Sequence, residues 1–293
     1  MRFKVLGPLE LEADGASLAL GGLRQRAVLA SLLAERNHVL SADRLIDMVW
    51  EGDPPASAAA TLQTYVSHLR RVLSAAGRDG AAVIETRPPG YVLHTAPDEV
   101  DADVAERTVD EASAALDRGD PARARELVAA ADALWRGEPY ADLADAESLR
   151  HEITRLAALR DRAALVRLEA GLALGLHAEL VPELERMVAV DPLHEGLRAH
   201  LMLALYRCGR QADALRVYAD TRERLAEELG LDPGPELRRL ELRILEHDPS
   251  LGGPATPAVA PAVPVAPAAP TAPPATRSAR PGELPFVGRD AAI

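Results

Sequence analysis

The chain has 293 residues, enough for about two domains, each with its own core. Its formal charge of -12 argues against a nucleic-acid binder only until that charge is located: residues 1–96 carry ten basic and ten acidic side chains, and the remaining 23 basic and 35 acidic residues hold the whole excess. One cysteine, Cys208, excludes an intramolecular disulfide, no apolar run is long enough to span a bilayer, and Met1–Lys4 runs straight into a strand pattern without a signal-peptide core, so a cytoplasmic protein with no membrane role is expected.

Phe3 and Val5, Leu9 and Leu11, and Leu18 and Leu20 alternate with small or polar neighbours around Gly7-Pro8 and Asp14-Gly15, which predicts short antiparallel strands. After Gly21-Gly22 the period changes, and Val28, Leu29, Leu32 and Leu33 give the core face of a helix running to about Arg36. Ser41 reads as the N-cap of a second helix with Leu45, Ile46, Val49 and Trp50 on one face, broken at Pro54-Pro55. A third helix starts near Ser57, with Leu62, Val66, Leu69 and Leu73 in one narrow stripe. At about 100° per residue its opposite face carries Thr64, Ser67, His68 and Arg71, flanked by Gln63 and Arg70, and no acidic residue lies between Ala56 and Gly77. Val83–Thr86 and Tyr91–Leu93 read as two strands around Arg87-Pro88-Pro89-Gly90, a hairpin with a cationic tip. Trp50 and Tyr65 are expected in the core.

From Asp98 to about Asp248 the pattern is helical, broken at Gly119-Asp120-Pro121, Gly137-Glu138-Pro139, Asp191-Pro192, Gly209 and Gly230–Pro235. Leu201, Leu205, Tyr206, Gly209, Ala212, Ala214, Leu215 and Tyr218 give one helix-turn-helix unit of tetratricopeptide type within what is otherwise a solenoid-like bundle. Cys208 is expected there as a small buried hydrophobe. Pro254–Pro285 is rich in Ala, Pro, Val and Thr and reads as an extended linker, and the eight residues after it lead to the expectation that the chain continues in a longer protein.

A helix with short polar and basic side chains outward suits the DNA major groove, where Ser, Thr, His, Gln and Arg hydrogen-bond base edges or phosphates. Arg70 or Arg71 suits a bidentate contact to guanine, Arg87 suits the adjacent minor groove, and the helix starts at Ser41 and Ser57 offer amides to phosphates. The plain alternative is a solvated helix face, with Arg24 and Arg26 touching phosphates or merely covering surface. No Gly-rich phosphate loop, zinc spacing or nucleophile elbow occurs, and His151, His177, His194 and His200 lack metal-ligand spacing, so neither an enzyme, a metal nor a cofactor is expected. The competing readings are an interaction scaffold that uses the helical repeats without DNA binding, and a sensor fragment.

Several motifs in series resemble the Streptomyces antibiotic regulatory protein family: Phe3–Leu9; Ser41–Ile46 followed by Trp50; Thr61–Leu73; Thr86–Tyr91; Asp101-Ala102-Asp103; Trp135–Leu143; and Asp232–Leu237. Phe286-Val287-Gly288-Arg289-Asp290 resembles the start of the nucleotide-binding module of its larger members. The resemblance implies a mainly α chain with a small β component: an OmpR-type winged helix-turn-helix over 1–96, an all-α tetratricopeptide-like bacterial transcriptional activation domain over 97–248, a linker over 249–285 and the start of a nucleotide-binding module over 286–293. It further implies an activator that binds promoter direct repeats as a homodimer and recruits RNA polymerase holoenzyme through its sigma factor, alpha C-terminal domain and beta subunit, at gene clusters for antibiotics and other secondary metabolites. The implied base readers are Ser67, His68, Arg71 and Arg87, with Thr61, Gln63, Thr64 and Arg70 at phosphates or base edges. The helix Leu23–Arg36, the loop Arg36-Asn37-His38 and the turn before Ser57 are implied to face the polymerase.

Overall fold

The computed structural model describes residues 1–252; the expected linker beyond Gly252 and the segment 286–293 lie outside the described residues. Strands β1 (Arg2–Lys4), β2 (Glu10–Ala13) and β3 (Ala16–Leu18) form an antiparallel sheet in that order, the alternation placing Phe3 and Leu11 opposite each other and fully buried. Helix α1 (Leu23–Ala34) follows, then β4 (Leu40–Ser41), α2 (Ala42–Trp50), α3 (Ala58–Ala75), the single turn α4 (Gly80–Val83), and strands β5 (Ile84–Arg87) and β6 (Gly90–Leu93). The Ser41 side chain caps α2 by accepting from Arg44 N at 3.2 Å, as its position before the apolar face predicts.

Two details are not legible in the periodicity. Val83 closes α4 instead of opening a strand, and the hairpin gains a third strand, because β4 pairs with β6 through Leu40↔Tyr91 and Ser41↔Gly90. Two residues are too short a run to show a period of two. A Cβ on Gly90 would lie 2.0 Å from Leu40 O, so the β4–β6 pairing needs glycine there.

The helical part comprises α5 (Asp101–Asp117), α6 (Pro121–Asp132), α7 (Arg150–Ala173), α8 (His177–Val190), α9 (Glu195–Arg207), α10 (Gln211–Leu229) and α11 (Pro235–Leu245). Short 3-10 turns precede α7 and close the fold at Pro249–Leu251; Leu251 is buried in the core of α8–α11, so residues 249–252 belong to the folded body and not to the expected linker. The repeat expected around Gly209 is the α9–α10 hairpin, and Cys208, at its turn, is exposed, contrary to the expectation of burial. A residue at a helix C-cap sits where the chain leaves the packed face. No helix among the described residues is long and apolar enough to cross a membrane.

The winged-helix and helical parts do not have separate cores. One apolar cluster runs from Phe3 through Leu69 and Val109 to Ala170, and a second is confined to Leu168–Leu251. At the seam, the loop between β1 and β2 is held by residues more than 90 positions away. The buried Asp101 carboxylate accepts from Val5 N (2.7 Å) and Leu6 N (3.2 Å), Arg136 N donates to Leu6 O (2.7 Å), and Leu9 N donates to Asp142 (2.7 Å). Burial pushes the Asp101 carboxyl above its usual range, against the two backbone N–H groups that hold it charged. Arg26 donates to Asp142 (2.5 Å) and to Leu9 O (2.5 Å), while Arg36 pairs with Asp103 and lies 4.0 Å from Glu152. Although burial works against its charge, the Asp103 hydrogen bond and charge hold the Arg36 guanidinium above its ordinary pKa.

Candidate nucleic-acid interface

Helix α3 forms because four apolar residues, Leu62, Val66, Leu69 and Leu73, recur on one face, and each is about 1% exposed. Each such burial stabilises by roughly 1.5–3 kcal/mol relative to exposure, enough to fix the rotation of the helix about its axis. That rotation decides the outer face. Gln63, Thr64, Ser67 and Arg71 are exposed, in a stripe from Ala60 to Ser74 with no acidic residue. The Thr64 hydroxyl donates to Ala60 O (3.0 Å) and that of Ser67 to Gln63 O (2.8 Å).

Three of the eight expected contacts sit elsewhere. Thr61, Tyr65, His68 and Val72 follow one another at helical spacing as a half-buried flank. The His68 Nε2 is buried without a partner and lies 3.3 Å from where a Cβ on Gly21 would stand, so its ring leans on the turn before α1 and not outward. Arg70 is half-buried on the other flank, donating to Ile84 O from Nε (2.8 Å) and Nη2 (2.5 Å) and to Thr86 Oγ1 (2.7 Å), with its guanidinium 6.0 Å from the Tyr91 ring centre. Its position beside Arg71 gives no sign of this, because the partner strand is 14 residues away. Arg70 ties α3 to β5, and β5 carries Arg87 to the exposed hairpin tip.

Charge pairing separates the arginines of this part. Arg44 pairs with Glu35, Arg78 with Glu99 and His94 with Glu85, whereas Arg71 and Arg87 have no carboxylate partner among the described residues. Trp50 is buried as expected, whereas Tyr65, also expected in the core, is half-buried and stacks on it at 6.2 Å. Arg24 lies over Trp50 at 5.7 Å, and Arg26 belongs to the seam; neither has a sequence signal for these partners. The serine at the start of α3, Ser57, makes no side-chain cap.

The chain matches two family profiles: the C-terminal domain of transcriptional regulatory proteins over residues 19–93, and the bacterial transcriptional activator domain over residues 100–245. It is 42% identical over 262 residues to the regulatory protein AfsR of Streptomyces griseus, covering 87% of this chain and 26% of that protein, so it spans about a quarter of that relative's length. It is 36% identical over 267 residues to the regulatory protein DnrI of Streptomyces peucetius, covering 89% of this chain and 98% of DnrI. The solved structure of Mycobacterium tuberculosis EmbR in complex with a low affinity phosphopeptide superposes with a TM-score of 0.80 at 36% identity, over 85% of this chain and 65% of that one. With both profiles in order and DnrI matched over nearly its whole length, the chain belongs to the Streptomyces antibiotic regulatory protein family of transcriptional regulators.

Proposed function

We propose that the chain is a sequence-specific DNA-binding transcription activator that sets α3 in the major groove of promoter DNA and the β5–β6 tip in the adjacent minor groove. The observation that carries this reading is the acid-free exposed stripe of α3 that includes Arg71, with Arg71 and Arg87 both exposed and without a carboxylate partner among the described residues. A guanidinium bidentate to guanine discriminates by roughly 1–3 kcal/mol. Because the Thr64 and Ser67 hydroxyls donate to the helix backbone, their free lone pairs favour the amino groups of adenine or cytosine over phosphates. Gln63 suits adenine. Thr61, His68 and Arg70 support the face from its flanks, and Arg70 fixes the distance between the two reading elements.

The protein then acts in the cytoplasm, without catalysis, as a homodimer on direct repeats, recruiting RNA polymerase holoenzyme through the sigma factor, alpha C-terminal domain and beta subunit at secondary-metabolite gene clusters. The surface available for that contact is exposed at Leu23 and Arg24, at Asn37–Val39 and at Glu51–Ser57. Arg36 is excluded from it by its pairing with Asp103.

Selection from a random duplex library tests the reading and requires no known operator. The expected product is a direct repeat with half-sites about 10–10.5 bp apart, enriched by the wild type and not by Arg71→Ala. Equal enrichment by Arg71→Ala and Arg87→Ala would place the reading face elsewhere.

A further inference from the structure

Helices α8 and α10 flank α9 and leave a groove of about 390 Å³ above it. One part of its lining is apolar, with Val188 and Ala189 from α8, Leu201 from α9 and Val217 from α10, and Glu185, Asp220 and Arg224 add charge to it. At its base is Arg198, only 4% exposed. The guanidinium is fixed on two sides, Nε donating to Pro192 O (2.6 Å) and Nη1 to Thr221 Oγ1 (3.0 Å). Thr221 is itself fully buried and donates to Val217 O (2.6 Å), so the acceptor is locked in turn. Among the described residues Nη2 donates to nothing, and no carboxylate lies within ion-pair distance of Arg198.

That state is unlike the other inward arginines of the helical part. Arg155 is paired with Glu152 and Glu106, and Arg167 with Asp132 and Glu183. Arg207 also lacks a carboxylate among the described residues, but it holds Leu251 O and Leu172 O and stands outside the lining of this groove. A buried cation with no carboxylate in direct contact is costly: burial, and then Arg224, depress the Arg198 pKa, and Asp220, beyond ion-pair distance, only partly opposes them. A fixed guanidinium edge beside the apolar side chains of a groove is the arrangement of a ligand site in which one polar anchor sets orientation and apolar contact supplies affinity.

We propose that this groove binds a small organic monocarboxylate with an apolar tail, its carboxylate on Arg198 Nη2 and Arg224 and its tail against Val188, Ala189, Leu201 and Val217. The volume falls at the small-ligand end of the usual range of about 300–1,000 Å³. The rim selects the charge: Glu185 and Asp220 line the groove, and Arg224 is shared with Glu228 at 3.8 Å, which leaves too little positive potential for a dianion or a nucleic acid.

Calorimetric titration of the chain with hexanoate, 1-hexanol and inorganic phosphate tests this, with two variants. Arg198→Gln removes the cation; Ala189→Trp fills the groove from an exposed position on α8 and leaves Arg198 and its bonds in place. The expected result is one saturable hexanoate site that raises the Tm, with 1-hexanol and phosphate each about tenfold weaker or worse, and a loss of about tenfold or more in both variants. Ala189→Trp decides alone if Arg198→Gln does not fold, circular dichroism and Tm reporting the fold. No saturable hexanoate binding, binding that 1-hexanol matches, or binding that survives Ala189→Trp would overturn the proposal. So would tighter binding of phosphate, or displacement of hexanoate by an acidic hexapeptide at a lower concentration, which would make the groove a peptide site.

Discussion

The seam between the winged helix and the first helices of the activator domain, and the outer face of α3 with its hairpin tip, use the same side chain for opposite ends. In the seam Arg26, Arg36 and Arg136 each meet a carboxylate: Asp142, Asp103 and Glu10. On the outer face of α3 and at the hairpin tip Arg71 and Arg87 meet none among the described residues. A guanidinium taken out of water needs a counter-charge close by, whereas one left in water costs little until a phosphate or base displaces that water. Engagement by a carboxylate, or by backbone and hydroxyl oxygens as at Arg70, marks the arginines that hold the molecule together; Arg71 and Arg87 have neither among the described residues.

The largest effect that would break this contrast is expected at Asp101. Asp101→Ala leaves the N–H groups of Val5 and Leu6 buried without acceptors and deprives Arg136 of a nearby charge at 3.7 Å, so urea denaturation should show a loss of about 2–5 kcal/mol. A loss below about 1 kcal/mol would mean that the seam does not join the two parts. Asp142→Ala, which removes the acceptor of Leu9 N and the partner of Arg26, is expected to cost about 1–3 kcal/mol in the same assay.

A pH titration sharpens the comparison between the two cores. His177 and His200, both packed in the helical region that follows the seam, are held below the ordinary value of 6.5 by burial first; Arg207 adds to this at His177 and His194 at His200, while Glu169 opposes it. Their neutral form is therefore the folded form, and the unfolded chain takes up protons first. The stability they contribute is whole above about 6.5 and is lost as pH falls through their lower folded values. Amide protection factors, taken relative to the intrinsic exchange rate at each pH, should fall in α8–α10 before α3 as pH drops below 6.5, and the reverse order would contradict the assignment.

Smaller effects are expected at the junction of α3 with the hairpin and at the α9–α10 turn. Arg70→Ala should leave the global fold intact and raise exchange at Ile84–Arg87, since it removes the hydrogen bonds to Ile84 O and Thr86 that hold the hairpin to α3. Cys208→Ser, at an exposed turn, should change stability by less than about 0.5 kcal/mol; a larger loss would restore the buried reading.

Much of this organisation is legible in the sequence, for physical reasons that differ by region. The strands, α1 to α3 and the hairpin follow from the spacing of Phe3, Leu11, Leu29, Leu62 and Tyr91, because a half-buried element must repeat its apolar residues at its own period. The stripe that turns Gln63, Thr64, Ser67 and Arg71 outward follows from the same rule. His68 and Thr61 escape it because they lie at the edge of that stripe, where the neighbouring element decides whether a side chain is covered. The Asp142 partner of Arg26, the Asp103 partner of Arg36 and the Val5 and Leu6 partners of Asp101 are 67 to 116 residues distant, and no local pattern encodes such a pairing. The two-residue β4 is invisible for want of length.

The claim that Arg71 and Arg87, exposed and without a carboxylate partner, read DNA is tested most directly by binding anisotropy on the selected direct repeat, with wild type and the Arg71→Ala/Arg87→Ala double variant compared at two salt concentrations. The account predicts unchanged thermal stability, a loss of specific affinity of about 2–5 kcal/mol and a shallower salt dependence in the variant. Unaltered affinity and salt slope in a folded double variant would contradict it.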